Sequence, residues 1–432
     1  MGRIRPDACI DSVCPYFLSL ASDTLVRKGT PVLTLSTLLE AVAPGGAATL
    51  TSVTRLRAAA GEHASVSPAK FVDGNSSVFA FETRFIDGKP QQAVILDSKQ
   101  SSLNRGEAAI SLAIADGHPL LSRIPRIVVN YENGPTYSDW DLPHRFADGH
   151  ARAGTIDGEP AVKNPQFKAI RDSTQSNAQA ILNGAPAALL LGGWDSTRAQ
   201  NQLRLRSALV GEIIGVLADQ NATGEQQQSR RGGARIDPVA ASVKLDATAY
   251  ARLVDAQEDE LSPGNLKKNR ETIKKAKKGD TLSAASLGLG AIPPSLDSLG
   301  GVSCRDVIRS WVLSFATLRQ LRFGASAEGN EAARALLAAL GLALLARAEQ
   351  ELYLRANCDL VEIEAPKVTI DRRYGEFEEL PPLTVEAADG LFAEALEHAQ
   401  KLGVAEWNGQ TLDIVGCPDI LGGAVEESED EN

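Results

Sequence analysis

The sequence predicts an α+β fold. Three observations lead there: residues 78–96 carry the alternation and turn of a β-hairpin, several later segments carry apolar spacing of three and four, and no regular βαβα order links them. Val78–Phe85 alternates, with Phe79, Phe81, Thr83 and Phe85 forming one aromatic face, and Asp87-Gly88 turns the chain into an apolar strand at Ala93–Leu96. Ser101 or Ser102 caps a helix that runs through Ala108, Ile110 and Leu112 and stops at Gly117. Ile124–Val129 reads as a strand, residues 131–177 as loop-dominated, and Ala187–Leu191 as a short strand closed by Gly192-Gly193. Leu203–Ala218 has helical spacing at Leu205, Leu209, Ile213 and Val216. Asn221–Gly233 lacks periodicity and reads as a mobile loop, and Ser262–Asp280 is a polar, Lys-rich insertion. Ser303 caps an amphipathic helix through Val307, Trp311, Ser314, Phe315, Leu318 and Leu321, and Glu331–Ala356 is a strong Ala/Leu helix. Leu360–Glu364 and Leu412–Val415 are late strands with a helix near Ala387–Leu402 between them. No internal repeat is visible.

A chain of 432 residues has room for two domains or one large elaborated one. With 43% hydrophobic and 23% charged residues it is a globular sequence, not a wholly disordered one. Its longest uncharged apolar run, Ala335–Ala346, is twelve residues, too short for a bilayer, and no secretory signal is expected at the front. Five cysteines, an odd number, predict reduced thiols and a cytoplasmic location rather than a disulfide framework. The net charge of −11 is unevenly spread. Residues 341–432 hold 6 Lys and Arg against 21 Asp and Glu, a net of −15, which leaves residues 1–340 at +4. That body carries local basic clusters at Arg198, Arg204 and Arg206; at Arg230, Arg231 and Arg235; and at Lys267, Lys268, Arg270, Lys274, Lys275, Lys277 and Lys278. Local clusters rather than net charge set phosphate affinity, although any single Lys run also reads as a solvated face.

The common catalytic signatures are missing. No P-loop or Gly-x-Ser-x-Gly elbow occurs, and Gly288-Leu289-Gly290 lacks the third glycine of a dinucleotide site. Cys9 and Cys14 have no second Cys/His pair nearby, Cys304, Cys358 and Cys417 are solitary, and the five histidines are scattered. His144 and His150 flank Arg145 and Asp148, a polar set suited to acid–base work but without a nucleophile or metal partner in sight. No enzyme activity, metal or cofactor is expected.

Three segments are dense in groups that hold RNA or a partner. In Leu96–Arg105 a strand delivers short polar side chains to a helix start, whose free N–H groups favour an anion; the alternative is a capped helix. Asp139–Asp148 puts Trp140, His144 and Arg145 together, which suits stacking and a cation on a single strand; the alternative is a buried Trp with a structural ion pair. Leu191–Ser196 leads into Arg198, Gln202, Arg204 and Arg206; on a continuing helix Arg198 and Arg206 share a face as a phosphate track. Trp194 is expected to pack at the strand end rather than to stack on a base.

Taken together these segments resemble the Cas-seven-type backbone subunit, of the RAMP superfamily, from the type I-G (formerly I-U) CRISPR Cascade complex. The resemblance rests on Leu96-Asp97-Ser98-x-Gln100-Ser101-x-x-Asn104-Arg105-x-Glu107, then Leu142-Pro143-His144-Arg145, then Leu190-x-Gly192-x-Trp194-Asp195-Ser196. Arg235-Ile236-Asp237-Pro238 and the stretch from Ile292-Pro293-Pro294 to Arg322-Phe323-Gly324 complete it, over roughly residues 50 to 325. It implies a modified ferredoxin-like (RRM-like) palm over 46–340 with large insertions at about 131–177, 221–235 and 262–300. Residues 1–45 stand outside the pattern as an extension, 341–425 form an acidic C-terminal region completing the fold, and 426–432 are a disordered acidic tail.

The implied function is that of a non-catalytic backbone subunit for RNA-guided recognition of foreign DNA in antiviral defense. Copies polymerise along the guide crRNA, and a thumb-like hairpin reaches the next copy. The implied partners are crRNA, target DNA, other copies of the chain, a large subunit, a fused foot and RNA-processing subunit, and a recruited helicase-nuclease, with no membrane. Such a subunit holds any guide through backbone contacts while pairing reads the target. RNA contacts are expected from Ser98, Gln100, Ser101, Asn104, Arg105, His144, Arg145, Arg198, Arg204, Arg206, Arg230, Arg231 and Arg235. Contacts to target or to a neighbouring copy are expected from Lys267, Lys268, Lys274, Lys275, Lys277 and Lys278, in an insertion with little but Ile273 to bury and dispensable for folding. Two other readings stay open: an RNA-processing endoribonuclease of the same superfamily, and a homo-oligomeric structural protein that works without RNA.

Overall fold

The computed structural model describes residues 32–233, 243–290 and 295–422. Strand β1 (Thr49–Ala58) buries Leu50, Ser52, Thr54 and Leu56 and turns Val53 outward, the period-two pattern of a sheet covered on one face. Strands β2 (Phe81–Ile86) and β3 (Lys89–Asp97) form a hairpin whose turn residues, Asp87 and Gly88, both have positive φ. Helix α1 (Lys99–Ala115) follows at once, and strand β4 (Arg126–Asn130) comes after it. Two short strands, β5 (Gly193–Trp194) and β6 (Arg204–Leu205), precede β7 (Leu209–Leu217). A ribbon of β8 (Ser229–Gly233) and β9 (Ser295–Gly301) brackets a segment containing helix α2 (Pro263–Lys275). Strand β10 (Cys304–Ser314), helix α3 (Ala327–Gln350), strands β11 (Lys367–Asp371) and β12 (Phe377–Leu380), helix α4 (Val385–Lys401) and strand β13 (Thr411–Val415) complete the chain.

The main sheet runs β12-β11-β1-β10-β7-β3-β2, antiparallel throughout, with Leu360–Glu362 also pairing with β1. Its middle is the ferredoxin-like unit β1-α1-β7-β10-α3-β11. In space the strands lie fourth, first, third, second, and β1 and β7, each antiparallel to β10, run the same way across the α1 connection. Helices α1 and α3 meet at Gly106, where a Cβ would lie 2.2 Å from the Leu344 side chain, so any larger residue would push that side chain aside. Helix α3 is buried on nearly every side from Ala332 to Ala348 because α1, α4 and the Leu35–Val42 helix surround it. This centre buries more than the acidic tail-end region alone suggests: α4 packs on α3, and β13 pairs parallel with β4 in a second, five-stranded sheet. Among the described residues no helix is long and apolar enough to cross a membrane.

Several sequence expectations are corrected. Ser98, not Ser101 or Ser102, caps α1: its Oγ accepts from the Ser101 N–H at 3.3 Å. The strand expected over Val78–Phe85 breaks at Ala80, so Ser76–Phe79 pairs with Lys70–Asp73 instead; of the expected aromatic face, Phe79 is buried and Phe85 exposed. Ala187–Leu191 is a one-turn helix, since a short, fully buried apolar run fits either element. Leu203–Ala218 and the segment after Ser303 are not helices but strands β7 and β10, followed in the second case by the short Phe315–Leu318 helix. The reason is common to both. Apolar steps of four are also multiples of two, and the β-branched and aromatic side chains settle the choice. The 131–177 segment holds short helices and strands between its turns. Asn221–Gly233 contains the Gly224–Gln227 helical turn and β8 rather than a loop alone. Ser262–Asp280 is helical through α2, and Leu266 and Ile273 pack on a small core of Tyr250, Val254, Ala284 and Leu287.

Candidate nucleic-acid interface

The start of α1 is built around a buried carboxylate. Asp97 ends β3 with no exposed surface. Arg105, one face along the helix, donates to it through Nη1 at 2.9 Å and through Nη2, and the Ser102 hydroxyl donates too. Burial alone would raise the Asp97 pKa; Arg105 and the Ser102 and Ser101 hydroxyls outweigh it and hold the carboxyl below its usual range. Of the other expected contacts on this helix, Gln100 and Asn104 are exposed one turn apart, while Ser98 and Ser101 are half-buried in the cap.

Arg145 ties the second and third segments to the same helix. Its Nε donates to Glu107 at 2.6 Å and its Nη1 to the Gly192 carbonyl at 3.0 Å. Arg145 has φ 48°, uncommon for a residue with a Cβ, and these two contacts fix it there. Burial outweighs Arg145 and pushes the Glu107 pKa up. Trp140 is 3% exposed, so it is a core residue and not a stacking surface. His144 is exposed, and its backbone N–H donates to Asp148 at 3.1 Å. Nearby Asp139 is fully buried; one carboxylate oxygen accepts from the Ile127 N–H at 3.1 Å and the other has no partner. Burial raises its pKa to about 7.

The Gly192-Gly193 pair has a specific cause. Gly192, at φ 87°, ends the Ala187–Leu191 helix, and a Cβ on Gly193 would lie 2.9 Å from the Phe146 ring. Beyond it, Arg198 donates to the Arg171 carbonyl at 2.6 Å and pairs with Asp172. Asp195 is buried against Arg171 at 2.8 Å and anchors the loop. Because no helix follows, Arg198 and Arg206 do not share a helical face. Trp194 corrects its expectation as well: it is 50% exposed, directly across from Arg204 in the β5–β6 pair, and the Arg204 guanidinium lies 4.9 Å from its ring centroid. Arg206 is exposed two residues on and lines a cavity of about 340 Å³.

The three segments thus converge through Arg145, but their cations differ in kind. Arg105, Arg145 and Arg198 are tied to Asp97, Glu107 and Asp172. Arg204 and Arg206 have no carboxylate partner among the described residues. Local spacing could not reveal this distinction, because the carboxylates that claim Arg145 and Arg198 are 38 and 26 residues away. No local pattern marks the cavity either, since its other lining residues include the distant Gln175, Thr317 and Gln320. Arg230 and Arg231 are exposed on β8, and Arg235 lies outside the described residues. Lys267, Lys268, Lys274 and Lys275 are exposed on α2 and Lys277 and Lys278 just past it; of these, Lys275 pairs with Glu271 at 4.0 Å. No cluster of three His, Cys, Asp or Glu groups suited to a metal ion occurs among the described residues.

No curated protein matches the chain. The family model described as CRISPR-associated protein GSU0053 matches residues 50–220. The matched stretch begins in β1, ends just past β7, and contains all three convergent segments.

Proposed function

We propose that this chain is a non-catalytic backbone subunit that holds guide RNA in a CRISPR surveillance complex of the type I-G kind. The observation that carries the reading is the fall of the CRISPR-associated match on the palm segment where α1, the Arg145 loop and the Trp194–Arg206 strands converge. A subunit that accepts any guide needs cations and ring faces without base readout. Arg204 and Arg206 supply the first and Trp194 the second. The α2 lysines add an exposed cationic surface on a separate small core, inserted between two adjacent palm strands where an arm toward target DNA or a neighbouring copy belongs. Successive copies, a large subunit, a fused foot and RNA-processing subunit and a recruited helicase-nuclease are the partners this role requires.

The test is co-purification. Protein from cells carrying a matching repeat array should hold repeat-derived RNA and bind it without sequence preference. A protein free of nucleic acid that also fails to bind such RNA at low salt contradicts the proposal, and leaves the RNA-independent structural reading. Cleavage of a labelled guide precursor by the pure chain points instead to the processing enzyme.

A further inference from the structure

The cavity beside Arg206 has an apolar floor of Leu189, Leu205 and Leu321 and a polar rim of Gln175, Gln320 and Arg206. Its volume of about 340 Å³ lies at the lower end for small-ligand sites. Beside it in the chain stands the Trp194–Arg204 stack. Stacking on the indole restricts the Arg204 guanidinium before any ligand arrives, which lowers the ordering cost of binding.

Resting on the RNA-holding reading above, we propose that this cavity takes one unstacked nucleotide of a single-stranded RNA. Its base lies on the leucine floor, its phosphate on Arg206, and the next base on the outer plane of Arg204. The chemistry favours a nucleotide over an acidic peptide, because an exposed indole, a guanidinium plane and an apolar floor offer surfaces to flat rings and not to carboxylates. The rim is tolerant of sequence: each glutamine amide both donates and accepts, so rotation matches it to any base edge. Arg105, Arg145 and Arg198 are unsuited to this role, since each already has its anion.

The experiment titrates the full-length protein into mixed-sequence single-stranded RNA carrying 2-aminopurine, over a range of salt. Three variants are compared: Arg206→Gln, Ala316→Trp, which fills the cavity mouth without touching a charge, and Gln320→Trp as a second filling variant at another exposed position. Wild-type binding should raise the 2-aminopurine signal as the base leaves its stacked neighbours. Ala316→Trp or Gln320→Trp should weaken binding about tenfold, within the range of one stacking contact, at unchanged salt slope, and should abolish the signal. Arg206→Gln should lower the slope of log K against log salt by about 0.7. Filled variants that bind as tightly as wild type, with the signal intact, overturn the cavity assignment but leave RNA holding in place. Wild-type protein that binds no RNA at low salt overturns both. Displacement of the RNA by a glutamate-rich peptide that itself requires Arg206 assigns the cavity to a protein partner and overturns the proposal.

Discussion

Asp97 carries a full charge with no exposed surface; Arg105 is the cation hydrogen-bonded to it, and the Arg355 guanidinium lies 3.8 Å away. Arg105→Ala should therefore destabilise the protein by about 3–5 kcal/mol, because it takes the hydrogen-bonded cation from a buried anion, and Arg145→Ala should do the same through Glu107. Arg204→Ala, at an exposed site, should shift stability by no more than about 0.5 kcal/mol while weakening RNA binding. Urea denaturation of the three variants checks this; a large loss at Arg204 or none at Arg105 contradicts the division between structural and available cations. Asp139 makes a separate prediction. Its folded pKa, raised to about 7, exceeds the ordinary aspartate value of 3.8, so the folded state binds the proton more tightly. The stability it contributes is fully present below about pH 3.9 and is lost as pH rises through about 7. Asp139→Asn should remove this component, leaving a flatter dependence of Tm on pH between about 4 and 7. Equal slopes in variant and wild type show that Asp139 does not titrate in this window.

Strand β10 presents its long side chains to a neighbour cut to fit them. Gly211 of β7 lies opposite Trp311, and a Cβ there would sit 2.5 Å from the indole. Gly211→Val should cost about 1–3 kcal/mol by overpacking, whereas on a solvent-facing helix it would cost little; thermal unfolding decides between these. The same pair explains what was legible. The β2–β3 hairpin was read from alternation and Asp87-Gly88, and α3 and α4 from long Ala/Leu runs, because in each the local pattern admits one period. In β7 and β10 steps of four fit both periods, and only the sheet partners resolve them. The α2 unit shows the same limit of local pattern. Read alone it is a charge run, yet Leu266 and Ile273 join Tyr250 and Val254 in a core. Deleting 266–278 should unravel that unit, while replacing all of 243–290 by a short linker should leave the Tm of the palm nearly unchanged; a palm that unfolds on the larger deletion contradicts the separate core.

Over the whole molecule the charge is divided by region. Residues 341–432 hold a net of −15, and α4 and β13 fix the described part of that region against α3 and the second sheet. Residues 263–278 hold seven Lys and Arg against one Glu, on a small core of their own. Such a division suits a subunit that touches polyanions on some surfaces and avoids them on others. The candidate site was legible as three segments but not as a site, since Arg145 joins them only once the chain folds, and the partners of Arg105, Arg145 and Arg198 appear only then. The most direct test of the central claim is the nucleic acid that leaves the cell with the protein. Purified from cells carrying a repeat-spacer array, the wild-type chain should hold repeat-derived RNA, and the Arg204→Ala/Arg206→Ala double variant should hold far less at an unchanged Tm. RNA retained equally by both, or absent from wild type, would contradict the account.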